Sequence, residues 1–283
     1  MSDMPQLFDR ARRRHLRARS AGQPSVFLQW MAEDLAERLS AVARDFSDIL
    51  LIGPLARFQG ALQLPAGAKV KVAALSEAES ALDAVLCEED RLPFDPGSFD
   101  LILSAGTLDS VNDLTGALIQ IRRSLRPDGL FLGSMFGAGS LIRLKRCMIA
   151  ADGPRTAAHI HPQIDVRSAG DLLARAGFAM PVADGDRLTL RYSDPMRLVR
   201  DIREAGTGNA LAGPRAGLGK SGFTRLLESW AAVAEADGKV SERLELISLS
   251  GWAPAPSQAK PARRGSGTVS LAEALRPDDE KPR

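Results

Sequence analysis

Residues Phe99 to Phe136 read FDLILSAGTLDSVNDLTGALIQIRRSLRPDGLFLGSMF, and the fold turns on how this stretch is parsed. FDLILSA at its start and GLFLGSMF at its end are apolar runs of strand length. Between them Leu114, Ala117, Leu118, Ile121 and Leu125 recur at helical spacing and make one apolar face. Asn112 or Asp113 offers a capping side chain at the helix start, and Pro127-Asp128-Gly129 a stop at its end. Strand, helix and strand in succession describe a crossover between parallel strands, which requires cover on both faces of the sheet.

Working outward, ILLIG from Ile49 and VKVAAL from Val70 supply two more strands upstream. Downstream, Arg187 to Tyr192 and Arg243 to Trp252 partly alternate, as antiparallel strands closing the sheet would. Val26 to Val42 places Phe27, Trp30, Met31, Leu35, Leu39 and Val42 on one helical stripe, which predicts a core-facing helix. One α/β domain over residues 26–253 therefore follows, preceded by a basic arm at 1–25. From Ala253 the composition changes to APAPSQAKPARRGSG, so 254–283 reads as a disordered tail.

With 45% hydrophobic residues in 283, the chain can bury one substantial core. A formal charge of +2 leaves no chain-wide footprint for nucleic acid. Two cysteines, Cys87 and Cys147, lie far apart without metal-ligand spacing and fit a reducing compartment. No apolar run approaches membrane-span length and no secretory signal pattern opens the chain, so a cytoplasmic location is expected. The positive charge is local. FDRARRRHLRARSA carries Arg10, Arg12, Arg13, Arg14, Arg17 and Arg19. Such an arm suits an acidic partner, anionic lipid or RNA, and an organellar transit peptide is a further reading. A solvated helix ahead of the domain is the preferred one, because no aromatic residues interleave for base stacking.

The runs Leu92-Pro93-Phe94, Ser98 to Ser104 and Pro127 to Phe131 resemble, in order and spacing, the class I S-adenosylmethionine-dependent methyltransferases. FDRARRR, VNDLTGALIQIRRSLRPDGLFLGSMFG, DLLARAGFAMPVADGD and GWAP are similar to the respiratory complex I assembly factor 5 group and its bacterial relatives, themselves similar to the malonyl-carrier-protein methyltransferase of biotin synthesis. The resemblance spans Leu7 to Pro254. It implies a Rossmann-like class I methyltransferase fold with a mostly parallel sheet and antiparallel C-terminal strands. It also implies S-adenosylmethionine as cofactor, and a complex I subunit as protein client. For the reaction it implies either methyl transfer or hydroxylation of an arginine; fold does not choose between them.

Carried over residue by residue, the resemblance puts Gly53, Glu88 and Ser104 at the cofactor. The family's first loop needs three glycines so that a ligand can approach bare backbone. Here Gly53 is kept, while Leu55 and Arg57 take the other two positions and Leu51 the acidic one. Pro54 donates no N–H. At the end of the second strand, Ala74 stands where the family binds ribose with an acid, and Glu77 is the nearest substitute. Glu88 matches the acid that meets an adenine amino group. After the fourth strand, Asp109 and Ser110 replace a histidine and a tryptophan. The expectation is a methyltransferase fold with a degenerate cofactor pocket that acts on or chaperones a protein client, using the basic arm and the insert from Gly139 to His161; an active methyltransferase is the alternative.

If the chain is catalytic, Asp109, His159 and His161 are the general-base candidates. His159-Ile160-His161 beside Asp165 also suggests an iron site, but no second carboxylate spacing accompanies it and no metal is expected. Gly217-Leu218-Gly219-Lys220-Ser221 imitates a phosphate-binding loop, yet Pro214 takes the first glycine position and no strand precedes it. It reads as a linker before a helix holding Phe223, Leu226, Leu227 and Trp230.

Overall fold

The computed structural model describes residues 6–79, 84–154, 157–214, 217–258 and 270. Seven strands form one sheet: β1 (Asp48–Ile52), β2 (Lys69–Ala74), β3 (Ala84–Leu86), β4 (Phe99–Ala105), β5 (Leu125–Phe136), β6 (Ala179–Tyr192) and β7 (Val240–Trp252). Their order is β3-β2-β1-β4-β5-β7-β6. The first five run parallel, and β7 enters antiparallel between β5 and β6. This is the class I methyltransferase arrangement, with its order reversing at β1, and ligands of such sheets sit beyond the carboxyl ends of strands flanking that reversal.

Among the described residues eight α-helices accompany the sheet: α1 (Arg10–Ser20), α2 (Val26–Ser40), α3 (Gln59–Leu62), α4 (Leu114–Ser124), α5 (Ile142–Asp152), α6 (Val166–Arg175), α7 (Pro195–Glu204) and α8 (Gly219–Ala232). The expected stripe of α2 is buried through Phe27, Met31 and Leu35, with Ser25 capping the helix by accepting from Leu28 N–H. The decisive crossover folds as expected. Asp113 caps α4 by accepting from Gly116 N–H, and Ala117, Leu118 and Ile121 are buried. The two apolar faces of the sheet feed two cores, one beneath α2 and α5 and one beneath α4 and α6.

Three local expectations shift. The last two strands begin earlier, at Ala179 and Val240, because pairing along their whole length satisfies backbone groups that alternation alone did not mark. Gly219 opens α8 at once, so the phosphate-loop look-alike is a helix start and no linker; Leu226 and Trp230 are buried while Phe223 and Leu227 remain exposed. The third concerns the basic segment, which forms a helix but is not solvated: Arg13 and Arg17 are each only 3% exposed. The tail expectation falls mostly on 259–269 and 271–283, outside the described residues.

Candidate functional site

Two features lie beyond the carboxyl ends of the strands, on either side of α1. The first surrounds Gly53. The chain leaves β1 at φ +79°, and a Cβ there would lie 3.2 Å from Thr107 Cγ2, so the turn requires glycine. Pro54 to Phe58 form a tight 3-10 turn in which Pro54 and Leu55 are buried. Arg57, at the third glycine position of the family loop, donates to the carbonyls of Ser20 and Gln23 at 3.1 Å each and so ties this loop to the end of α1.

Carboxylates do stand after β2 and β3: Glu88 follows β3 as the sequence pointed, but after β2 the inward-facing acid is Glu79 and not Glu77. Glu77 is exposed, and Glu79 is the buried acid, accepting from Leu75 N–H at 3.0 Å. After β3, Glu88, Glu89 and Asp90 follow one another. Helix α1 covers all of these. Arg17 Nε lies 3.5 Å from Glu79 Oε1. Arg13 donates from both terminal nitrogens to Glu89 at 3.0–3.1 Å, to Glu88 at 3.1 Å and, through Nε, to Ser110 Oγ at 3.2 Å. Thr107 also donates to Glu89, Arg17 to the carbonyl of Gly106, and Arg14 to Glu88 at 3.0 Å. Burial works against the Arg13 charge, but Glu89 and then Glu88 more than offset it and hold the guanidinium protonated beyond its ordinary range. The crevice between Gly53, Ala74, Cys87 and Glu89 has no room for a water molecule. Burial, reinforced by Glu89 and Glu88, pushes the Cys87 thiol up to about 12.

The second feature is a cavity of about 840 Å³ on the other side of α1, walled by α1, α5, α7 and the segments 157–163 and 207–214. Asp109, His159 and His161 all line it, so the three general-base candidates converge. Their states differ. His159 Nε2 is 2.7 Å from Asp152 Oδ1, a partner in its own insert. His161 is 4% exposed, packs edge-on against Phe8 at 5.4 Å, and its Nδ1 has no hydrogen-bond partner among the described residues. Burial lowers its pKa, Asp109 opposes, and Lys145 and Arg13 add to the lowering, so the ring is neutral at pH 7. Both Asp109 oxygens are shut from solvent without a hydrogen-bond partner among the described residues. A neutral imidazole and a carboxylate in one cavity can accept a proton or orient a polar group.

Of the expected cofactor residues, Gly53 lines the closed crevice, whereas Glu88 lies outside it, paired with Arg10, Arg13 and Arg14. Ser104 is fully buried in β4 between Ile52 of β1 and Gly133 of β5, its Oγ without a hydrogen-bond partner among the described residues. Asp165 caps α6 by accepting from Ser168 N–H, and among the described residues no group of three or more metal-ligating side chains converges. Sequence reasoning missed Glu79, Glu89, Arg13 and Arg17. The available signal was the spacing of Arg10, Arg13, Arg14 and Arg17 on one helical face, matched by an acidic run at Glu88 to Asp90.

Comparison with known proteins agrees with this architecture. Residues 65–133 match a family model described as a methyltransferase domain. The mitochondrial arginine-hydroxylase NDUFAF5 of Mus musculus is 32% identical over 295 residues, covering 96% of this chain and 85% of that protein. For the Danio rerio protein of the same name the figures are 35% over 193 residues, 67% and 60%, so that alignment spans less than two thirds of the relative. A malonyl-[acyl-carrier protein] O-methyltransferase of Laribacter hongkongensis is 33% identical over 183 residues, 64% of this chain and 59% of that one. Among solved structures, the YcgJ protein of Bacillus subtilis superposes with a TM-score of 0.53 at 14% identity, over 78% of this chain and 98% of that one, a likeness of fold.

Proposed function

This chain belongs to the arginine-hydroxylase NDUFAF5 family, and we propose that it is a methyltransferase-fold protein whose cofactor pocket has degenerated and which acts on or chaperones a protein client such as a respiratory complex I subunit. One observation carries the reading. The carboxylates that a nucleoside would need are neutralised from within by Arg13 and Arg17, in ion pairs whose side chains are 2–3% exposed. S-adenosylmethionine does not fit these residues: its ribose and adenine acceptors are committed, Leu55 is packed where its amino-acid part would approach backbone, and the crevice admits no water. A ligand would have to break those pairs, and exposing one buried charge without its partner costs about 3–5 kcal/mol.

The client then meets surfaces other than the arginine face of α1, which is used internally. The insert from Gly139 to His161 supplies α5, where Ile142 and Ile149 are exposed, and its packing partner α8 exposes Phe223 and Leu227. Among the described residues no helix is long and apolar enough to cross a membrane. We place the chain in a reducing compartment, the cytoplasm by the sequence reading, while the NDUFAF5 relatives named above are mitochondrial.

The alternative, a working methyltransferase of a protein or small molecule, is favoured by the match of Glu88 to the family's acid, by Glu79 standing near the end of β2, and by the likeness to the carrier-protein methyltransferase. Calorimetric titration of the full chain with S-adenosylmethionine decides. No heat of binding up to millimolar ligand is expected, and micromolar binding would overturn the closed-pocket reading.

A further inference from the structure

The cavity behind α1 has a chemical character that the closed crevice does not explain. We propose that it binds an elongated apolar anion, an alkyl or acyl chain ending in a carboxylate or phosphate. This does not depend on whether the cofactor pocket is degenerate or on the identity of any client.

The size is right: about 840 Å³ lies within the roughly 300–1,000 Å³ of small-molecule sites. The inner walls are apolar, formed by Phe27, Phe136, Leu144 and Leu244 from the core with Met148 and Ile160 beside them. A methylene chain is what such walls stabilise. The mouth is different. Arg19 at the end of α1 and Arg200 and Arg203 on α7 line it, all exposed, and none has a hydrogen-bond or ion-pair partner among the described residues. Arg200 and Arg203, three residues apart, share a helix face. Arg12 lines the cavity too but is committed to the carbonyls of Leu211 and Gly213.

The lining acids are Asp109 and Glu204, against four arginines. Asp109 is itself within electrostatic reach of Arg13 and His161, and Lys145 adds positive charge near the same imidazole. The potential at the mouth is therefore positive, and free guanidinium groups take carboxylate or phosphate in paired hydrogen bonds. His161 is an independent pointer. Its unpartnered Nδ1 sits in the cavity wall on a side chain 4% exposed, and a buried polar atom left unmatched is uncommon unless a ligand or water completes it. An acidic protein segment shares the charge logic, but a walled cavity of this size suits a single chain of methylenes better than a peptide backbone, whose N–H and C=O groups would find few partners there.

The test uses the full chain with bound anilinonaphthalene sulfonate as reporter, displaced by dodecanoate, dodecyl phosphate, octanoate and dodecanol below their aggregation limits. Saturable displacement by the two dodecyl anions is expected, with dodecanol and octanoate each at least tenfold weaker; roughly tenfold per two methylenes is the scale for buried chain. The stronger of the two anions assigns the head group, phosphate or carboxylate. Arg200→Glu with Arg203→Glu should weaken the anions at least tenfold and leave dodecanol unchanged. Arg19→Glu serves if that double variant melts early. Equal binding of dodecanol, indifference to charge reversal, or absence of saturable binding would overturn the proposal. So would displacement by an acidic decapeptide where neither dodecyl anion competes, which would give the cavity to a protein segment.

Discussion

Replacing Arg13 by alanine should destabilise the protein by about 3–5 kcal/mol, the cost of stranding one member of a buried ion pair. Arg13 and Glu89 have side chains each 3% exposed, at 3.0 Å. Without the guanidinium, Glu89 keeps only the Thr107 hydroxyl as a side-chain partner among the described residues, and the Thr107 carbonyl loses its donor. Arg14 provides the control within the same helix. It also contacts Glu88 at 3.0 Å, but its side chain is 51% exposed, so Arg14→Ala should change stability by no more than about 1 kcal/mol. Urea unfolding followed by circular dichroism reads both. Arg13→Met combined with Glu89→Leu should recover most of the loss, giving a coupling of about 2 kcal/mol or more in a double-mutant cycle. If Arg13→Ala unfolds within 1 kcal/mol of the wild type, or indistinguishably from Arg14→Ala, then α1 does not lock the crevice.

The neutral state of His161 gives a pH signature. Its folded pKa lies below the ordinary 6.5, so below that pH the unfolded chain binds a proton that the native state refuses. The contribution is complete above 6.5 and is lost as pH falls toward the folded value; His161→Phe should flatten the wild-type profile over that window, and parallel profiles would contradict it. Cys87, with its thiol near 12, should react with iodoacetamide at pH 8 about a thousandfold more slowly than a free cysteine, measured in a Cys147→Ala background. Alkylation at the free-thiol rate would show the crevice to be open. Gly53→Ala meets both a left-handed backbone and Thr107 Cγ2, and should cost about 1–3 kcal/mol in the same urea assay, with neutrality refuting the turn's need for glycine.

The sheet was legible because buried parallel strands write themselves as nearly continuous apolar runs: Ile49 to Ile52, Phe99 to Ala105 and Leu130 to Phe136 need no partner to be recognised. The convergence of Asp109 and His161 was legible only as a pair of candidates, since their meeting depends on where α5 and the segment after it turn back over the sheet. Glu79 was passed over in favour of Glu77 because a loop carboxylate two residues further on looks no different in sequence; the turn at Glu77–Glu79 carries Glu79 inward. Long-range charge pairing is the least legible of all. Arg13 meets Glu89 across 76 positions, and composition reports only that the sum is +2.

That sum conceals a division of labour on α1. At 100° per residue, Arg10, Arg13, Arg14 and Arg17 fall on one face, and each is paired with the acids that follow β2 or β3. Arg12 and Arg19, seven residues apart, fall on another with Leu16 between them, and these three line the cavity. The helix is therefore a partition: one face closes the crevice at Gly53, the other contributes a wall and a free cation to the open cavity. Deleting residues 1–20 would remove both faces together and unbalance Glu79 and Glu89, so such a truncation confounds any binding result with unfolding. Single substitutions separate the two: Arg13→Ala should lower stability with the cavity's mouth intact, whereas Arg19→Glu should alter the cavity's charge with little change in stability.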